Sequence, residues 1–311
     1  MSIKNIIRPA LLLLAAMIWG FAFAFQDSAS AVPSFTLGFI RSIFAFIFLL
    51  VVIPVSDFLT RNGRRLVSSH GVDFTKGELA SGVITGLVLA VASALQQIGI
   101  SLGTDGGKAG FITALYVVLV PIYSIFLRKK TRLHVWLSIV IAAVGFFLLC
   151  ITDQLSILPS DLAVMGSALI FPIHILAIDH FSPKCDGIRM SAIQFLVAGI
   201  LNLIIALCVE APFDLSLISM HLGSLVYLGI MSSGVAYTLQ IIGQKNVNPT
   251  VASIILSLES VFAVIGTALF LGQSLSPREY IGCGLVLFAV ILSQITPPKK
   301  EKGEDNSPTE V

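Results

Sequence analysis

Arg41, Glu259 and the titratable His174 fall well inside long apolar stretches of this chain. A charge at the centre of a bilayer costs about 2.5–3.5 kcal/mol on insertion scales, so each needs a partner or a task. Glu259 lies ten residues past Pro249, about 15 Å along a helix, and no cation stands near it in sequence. Such a carboxylate can receive a cationic substrate group, hold a coupling proton, or bond neighbouring helices as the neutral acid. Arg41 lies seven residues into its stretch, about 10 Å from one end. It can snorkel to the headgroups, receive a carboxylate, or bond Gln96 and Gln97 at similar depth. His174 follows Pro172 by two residues, which directs it towards a carbonyl freed by the proline.

Neutral polar groups accompany these three. Tyr237, Gln240 and Gln244 recur at three and four residues, so they share one helix face. Amides and phenols orient a polar substrate without carrying full charge. They also bond across helices, at about 0.6 kcal/mol on average. Trp19 stands in mid-stretch, away from the interfacial belt where Trp is usual. The candidate substrate-binding residues are Trp19, Arg41, Gln96, Gln97, Tyr116, His174, Gln194, Tyr237, Gln240, Gln244 and Glu259. Ser253, Ser257, Ser260, Gly110 and Ala114 follow helical spacing as small residues, the pattern of close helix packing.

The elements that position them are set by composition. Of 311 residues, 56% are hydrophobic and 12% charged, against about 25% charged in soluble domains. That excludes a soluble enzyme and a nucleic-acid-binding module. A bilayer core about 30 Å thick needs about 20 apolar residues per helix. Ten stretches qualify: 9–25, 34–55, 78–102, 108–127, 133–151, 161–178, 190–209, 222–242, 250–272 and 280–296. The expected fold is an all-α integral membrane protein of ten transmembrane helices. With the N-terminus in the cytoplasm, 16 of the 19 Lys and Arg residues lie inside and only Lys108 and Arg278 outside, Arg41 being within a span. This is the positive-inside pattern of a multi-pass protein of the cytoplasmic membrane with both termini inside. Lys4, Arg8 and Ala22-Phe23-Ala24 also suit a cleavable signal peptide, but the nine later spans and the charge pattern favour a retained helix.

The chain repeats itself. Leu95-Gln96-Gln97-Ile98-Gly99 in the third stretch matches Leu239-Gln240-Ile241-Ile242-Gly243 in the eighth; Trp19-Gly20 pairs with Phe171-Pro172, and Arg41 with Gln194. Each pair lies five spans apart, an odd number, so the second copy inserts upside down. Residues 1–8 form a cytoplasmic N-terminus, 9–151 and 161–296 the two inverted five-helix repeats, and 297–311 a disordered cytoplasmic tail. In inverted-repeat carriers the substrate site lies at the midplane, marked by helix breakers at matching positions; Gly20 and Pro172 are the expected breakers.

The run Gly107-Lys108-Ala109-Gly110-Phe111-Ile112-Thr113-Ala114-Leu115-Tyr116-Val117-Val118-Leu119-Val120-Pro121 resembles the drug/metabolite transporter superfamily, specifically its EamA-like members. Trp19-Gly20, the Leu-Gln-x-Ile-Gly pair and Ala252-Ser253-Ile254-Ile255-Leu256-Ser257-Leu258-Glu259 carry the same resemblance. It implies two inverted five-helix repeats, cytoplasmic termini, and export or exchange of small metabolites, often amino acids or related compounds. Ser260 stands where many members carry Pro after the glutamate, which allows a straighter ninth helix.

No His-Glu-x-x-His zinc motif or Gly-x-Ser-x-Gly elbow is present, and no ATPase domain accompanies the spans. A secondary transporter working by alternating access is expected; a channel or facilitative pore is the alternative, and an intramembrane enzyme ranks below both. No cofactor is expected. The partners are a small-molecule metabolite, the lipid bilayer and no nucleic acid; the sequence is compatible with proton coupling and with a homodimer but derives neither. Four scattered cysteines lack metal-ligand spacing.

Overall fold

The computed structural model describes residues 4–61, 74–128, 132–150, 158–271 and 276–294; these are helical throughout apart from turns and short connections, with no strand among them. The expected tail 297–311 and segments 62–73, 129–131, 151–157 and 272–275 lie outside the described residues. Local chemistry sets several helix starts. Helix α1 spans Lys4–Ser28, α2 Ser34–Arg61 and α3 Lys76–Ser101. Thr75 and Glu78 close a capping box at the start of α3, which satisfies two orphan N–H donors.

The fourth expected span is two helices, α4 Gly106–Ala114 and α5 Tyr116–Phe126, interrupted at Leu115. Helix α6 spans Leu133–Cys150, α7 Pro159–Phe181 and α8 Gly187–Val209, the last capped by the Asp186 carboxylate on the Ile188 and Arg189 amides. Short helices α9 Leu215–Met220 and α10 Leu222–Val226 lead into a π-helical segment, Tyr227–Ala236, and then α11 Tyr237–Gln244. The ninth span is again interrupted, into α12 Pro249–Leu256 and α13 Glu259–Leu271; α14 is Pro277–Gln294.

Among the described residues eight helices are long and apolar enough to cross a membrane, with Leu133–Leu148 as a shorter apolar helix. The tenth expected span falls short because α14 opens on Pro277-Arg278-Glu279, a polar first turn; residues 295–296 lie outside the described set. The surface is inverted relative to a soluble domain. Leu133, Phe126 and Val209 are exposed, while Arg41, Gln96, Gln97, His174, Gln194, Gln240, Gln244 and Glu259 are buried. Polar groups inside and aliphatic ones outside suit a lipid solvent, and the chain is a multi-pass membrane protein.

Close approach is bought by glycine. α3 packs on α7 and α8, α2 on α8 and the π-helical segment, α6 on α14, and α1 on α13 and α11. A Cβ at Gly99 would lie 2.3 Å from Val164 on α7, and one at Gly243 would lie 3.0 Å from the Arg8 carbonyl on α1. Small residues at such crossings let backbones touch where no hydrophobic drive between helices exists.

Two expectations about helix geometry are corrected. Gly20 and Pro172 break nothing: α1 and α7 run through them. A Cβ at Gly20 would stand 2.4 Å from Phe262 Cβ and 2.6 Å from the Glu259 carbonyl, so its role is to seat α1 on α13. The N–H lost at a membrane proline is tolerated because neighbours and local adjustments re-satisfy the backbone. The breaks fall instead at Leu115 and at Ser257-Leu258. The ninth span is not straighter for want of proline. Ser253 and Ser257 hydroxyls donate to the Thr250 and Ile254 carbonyls, each at 2.8 Å, and such back-bonding bends helices. Ser260 reaches across to the Gly110 carbonyl at 3.2 Å, pinning the displaced turn to α4.

Polar clusters tie the two ends. Where α1 begins, Arg189 pairs with Asp57 at 2.7 Å and the Asp186 amide donates to Glu78. Where α1 finishes, Lys108 pairs with Asp161 at 2.5 Å, and the Glu210 carboxylate accepts from the Phe35 and Thr36 amides.

Candidate functional site

A cavity lies between α1, α2, α3, α7, α11 and the two interrupted helices. Water centres can occupy about 40 Å³ of it, against about 10–15 Å³ for one water. In this conformation it therefore suits a small polar group. Each wall brings different chemistry.

On one wall stand Tyr116 and Glu259, the first residues of α5 and α13. The two interruptions deliver them to the same place, where the phenol faces the carboxylate closely enough to interact with it as a loose hydrogen bond. No well-formed hydrogen bond joins them: Tyr116 Oη and Glu259 Oε1 are buried without a partner among the described residues. Gln240, one turn into α11, also lines the cavity and leaves Oε1 unpaired.

On another wall Arg41 reaches the π-helical segment. Its Nε donates to Ser233 Oγ at 3.0 Å and its Nη2 to Ser232 Oγ at 3.3 Å. Arg41 neither snorkels nor bonds Gln96 and Gln97; it is 7% exposed, and two adjacent hydroxyls of a widened helix meet its guanidinium. Trp19 Nε1 donates to the Ser232 carbonyl at 3.0 Å. π-helical turns recur at functional sites, and here one turn serves both the Arg and the Trp.

Aromatic rings close the cavity. Tyr237 packs against Trp19 with centroids 4.6 Å apart and against His174 at 5.8 Å. His174 pairs with Gln194 at 3.0 Å, not with a carbonyl freed by Pro172. Beyond them an amide relay runs from Gln26 Nε2 to Gln96 and Gln97 at 3.2 and 3.3 Å, and from Gln96 Nε2 to Thr113 at 2.9 Å.

Of the residues singled out in the sequence, Trp19, Arg41, Gln96, Tyr116, His174, Tyr237, Gln240 and Glu259 line this cavity. Gln97, Gln194 and Gln244 do not. Gln244 donates to the Ile175 carbonyl at 2.6 Å, so the shared face of Tyr237, Gln240 and Gln244 is divided between cavity and helix contact. Gln26, Thr113 and Ser232 also line it without having stood out. Gln26 falls one residue past the apolar stretch, and Thr113 and Ser232 are ordinary small polar residues whose depth alone distinguishes them. Among the described residues no group of three metal-ligating side chains occurs.

The sequence matches the EamA-like transporter family over residues 8–151 and again over 158–294. The chain belongs to the EamA-like transporter family. An uncharacterized transporter of Archaeoglobus fulgidus is 27% identical over 293 residues, covering 94% of this chain and 87% of that protein. The uncharacterized inner membrane transporter YedA of Escherichia coli K12 is 25% identical, covering 89% and 87%. A crystal structure 17% identical superposes with a TM-score of 0.73 over 92% of this chain and 96% of its own, which shows a shared fold. As a member of the EamA-like transporter family the chain is a membrane transport protein.

Proposed function

We propose that this EamA-like transporter is a secondary carrier that exports or exchanges small polar metabolites, amino acids or related compounds, by alternating access. The observation that carries the reading is the convergence of both interrupted helices on one central cavity, with Tyr116 and Glu259 at the two breaks. Interrupted helices at matching positions of two repeats are the device by which carriers expose a midplane site. The reading includes ten spans in two inverted repeats. It is supported by paired contacts: Gly99 of α3 against α7 has its counterpart in Gly243 of α11 against α1, and α6 lies beside α14 as α2 lies beside α8.

The proposed site comprises Trp19, Arg41, Gln96, Tyr116, His174, Tyr237, Gln240 and Glu259, with Gln97, Gln194 and Gln244 supporting it from behind. Glu259 meets a cationic group of the substrate or a coupling proton. The proposed orientation, both termini cytoplasmic, rests on the basic-residue split. Single cysteines at Ser30 and Ser216 should then label from outside intact cells and one at Gly63 should not.

The test of transport is counterflow in proteoliposomes, preceded by a screen of overexpressing cells against toxic amino-acid analogues to choose the solute. Saturable counterflow of that labelled solute is expected. Flux that rises linearly with concentration would establish a pore instead.

A further inference from the structure

We infer that the breaks in the fourth and ninth spans form a subsite for a compact monovalent cation, held by oxygens of Tyr116, Gln240 and Glu259. The inference rests on the cavity being the transport site and names what that site takes beside Glu259.

Tyr116 Oη, Gln240 Oε1 and Glu259 Oε1 are each buried without a hydrogen-bond partner among the described residues. All three side chains line the one cavity, and each residue is more than nine-tenths buried. An unsatisfied buried polar group costs about 1–3 kcal/mol, so three of them around about 40 Å³ of water-accessible space mark the place of a ligand. Tyr116 carries its own O–H, which faces Glu259, and a proton on Glu259 adds a second donor; a small cation is the occupant that engages all three oxygens at once. An alkali-metal ion coordinated by several oxygens satisfies all three, and so does an ammonium group with its three N–H donors. In carriers, interrupted helices near the midplane are where coupling cations are held.

The positive pole of the cavity does not compete for these oxygens. Arg41 is engaged by Ser232 and Ser233 on the π-helical segment, and among the described residues no ion pair joins it to Glu259. The small free space selects against bulky quaternary ammonium ions. Two sources supply the required chemistry: a free alkali ion moved with the solute, or the ammonium group of the solute itself. Both are recognised by the same three oxygens.

Trp19 reports on this cavity, since it lines it and packs on Tyr237. The other tryptophan, Trp136, is removed as Trp136→Phe. Emission of the purified full-length protein is then titrated with NaCl, with methylammonium chloride and with choline chloride, at constant ionic strength. A saturable response to Na⁺ supports the subsite with a free ion as its source; saturation by methylammonium alone supports it with a solute ammonium as its source. In either case the apparent affinity should weaken roughly tenfold or more in Glu259→Gln and by a smaller factor in Tyr116→Phe, with choline silent. Tyr116→Phe retains the ring, so it keeps the test open if the glutamate variant fails to fold. If neither small cation saturates the signal, or if both variants respond as the parent does, the subsite is overturned. Saturable counterflow that persists alongside a flat titration leaves the transport site standing without the cation. Absence of counterflow for every solute removes the transport reading, and the titration still decides whether the oxygens bind a cation.

Discussion

Arg41 and Glu259 line the same cavity, yet the fold treats them oppositely. Arg41 spreads its charge over five donors, and two hydroxyls of one π-helical turn receive it at 3.0 and 3.3 Å. Glu259 opens a helix immediately after an interruption and leaves a buried oxygen unpaired among the described residues. Arg41 bears the insertion cost of a charge in a membrane, and Glu259 bears it whenever it ionises. For Arg41 the offset is visible within the chain; Glu259 Oε1 has no such partner among the described residues. On the proposed reading the two poles of the site differ: the guanidinium is already held by the chain, and the carboxylate is the pole that meets the ligand.

Substitutions can break or sharpen that contrast. The largest effect is expected from Glu259→Gln, which keeps size and hydrogen-bonding capacity but removes the charge. Counterflow should fall roughly 10- to 100-fold, the worth of one charged hydrogen bond, while the melting temperature barely moves. Glu259→Asp should lie between, its carboxylate withdrawn by one methylene. Wild-type rates in the Gln protein at matched amounts would reduce Glu259 to helix packing and erase the distinction.

Arg41→Gln should show the reverse signature. Loss of two charge-assisted bonds, each worth about 1.5–3 kcal/mol, should be read as a lowered unfolding temperature in lipid. Transport per folded molecule should fall less than in Glu259→Gln. A stable Arg41→Gln protein with abolished counterflow would make the two poles equivalent after all.

Gly20→Ala tests the seat of the carboxylate. The new Cβ would fall 2.4–2.8 Å from Phe262 Cβ, the Glu259 carbonyl and the Ala263 amide nitrogen. Overpacking of this kind costs about 1–3 kcal/mol and should push the first turn of α13 away from α1. The expected readout is a raised KM with the Arg41 wall untouched; unchanged KM and stability would mean that the two helices part without consequence.

The smallest effect belongs to Gln244→Leu. It removes a bond to the Ile175 carbonyl, worth about 0.6 kcal/mol by the average for membrane helices. Counterflow should be unchanged, and a clear loss would return Gln244 to the cavity.

Apolar stretches of membrane length, the paucity of charge and the paired Leu-Gln-x-Ile-Gly segments were written in the sequence, because lipid demands continuous apolar helices and a repeat copies its crossings. The identity of the family was legible for the same reason, and Glu259 stood out because a carboxylate in such a stretch has few explanations. What tertiary structure alone decided was which polar residues meet. Helical spacing put Tyr237, Gln240 and Gln244 on one face, but the position of α7 divided that face between cavity and carbonyl. Depth placed Gln96 and Gln97 beside Arg41, whereas the π-helical segment carried two serines there first. Gly20 and Pro172 looked like breakers by residue type, yet a glycine under a neighbouring backbone is a contact and a supported proline stays helical. The actual breaks, at Leu115 and Ser257-Leu258, carry neither glycine nor proline. They are what bring Tyr116 and Glu259 together, and only the folded chain shows where they fall.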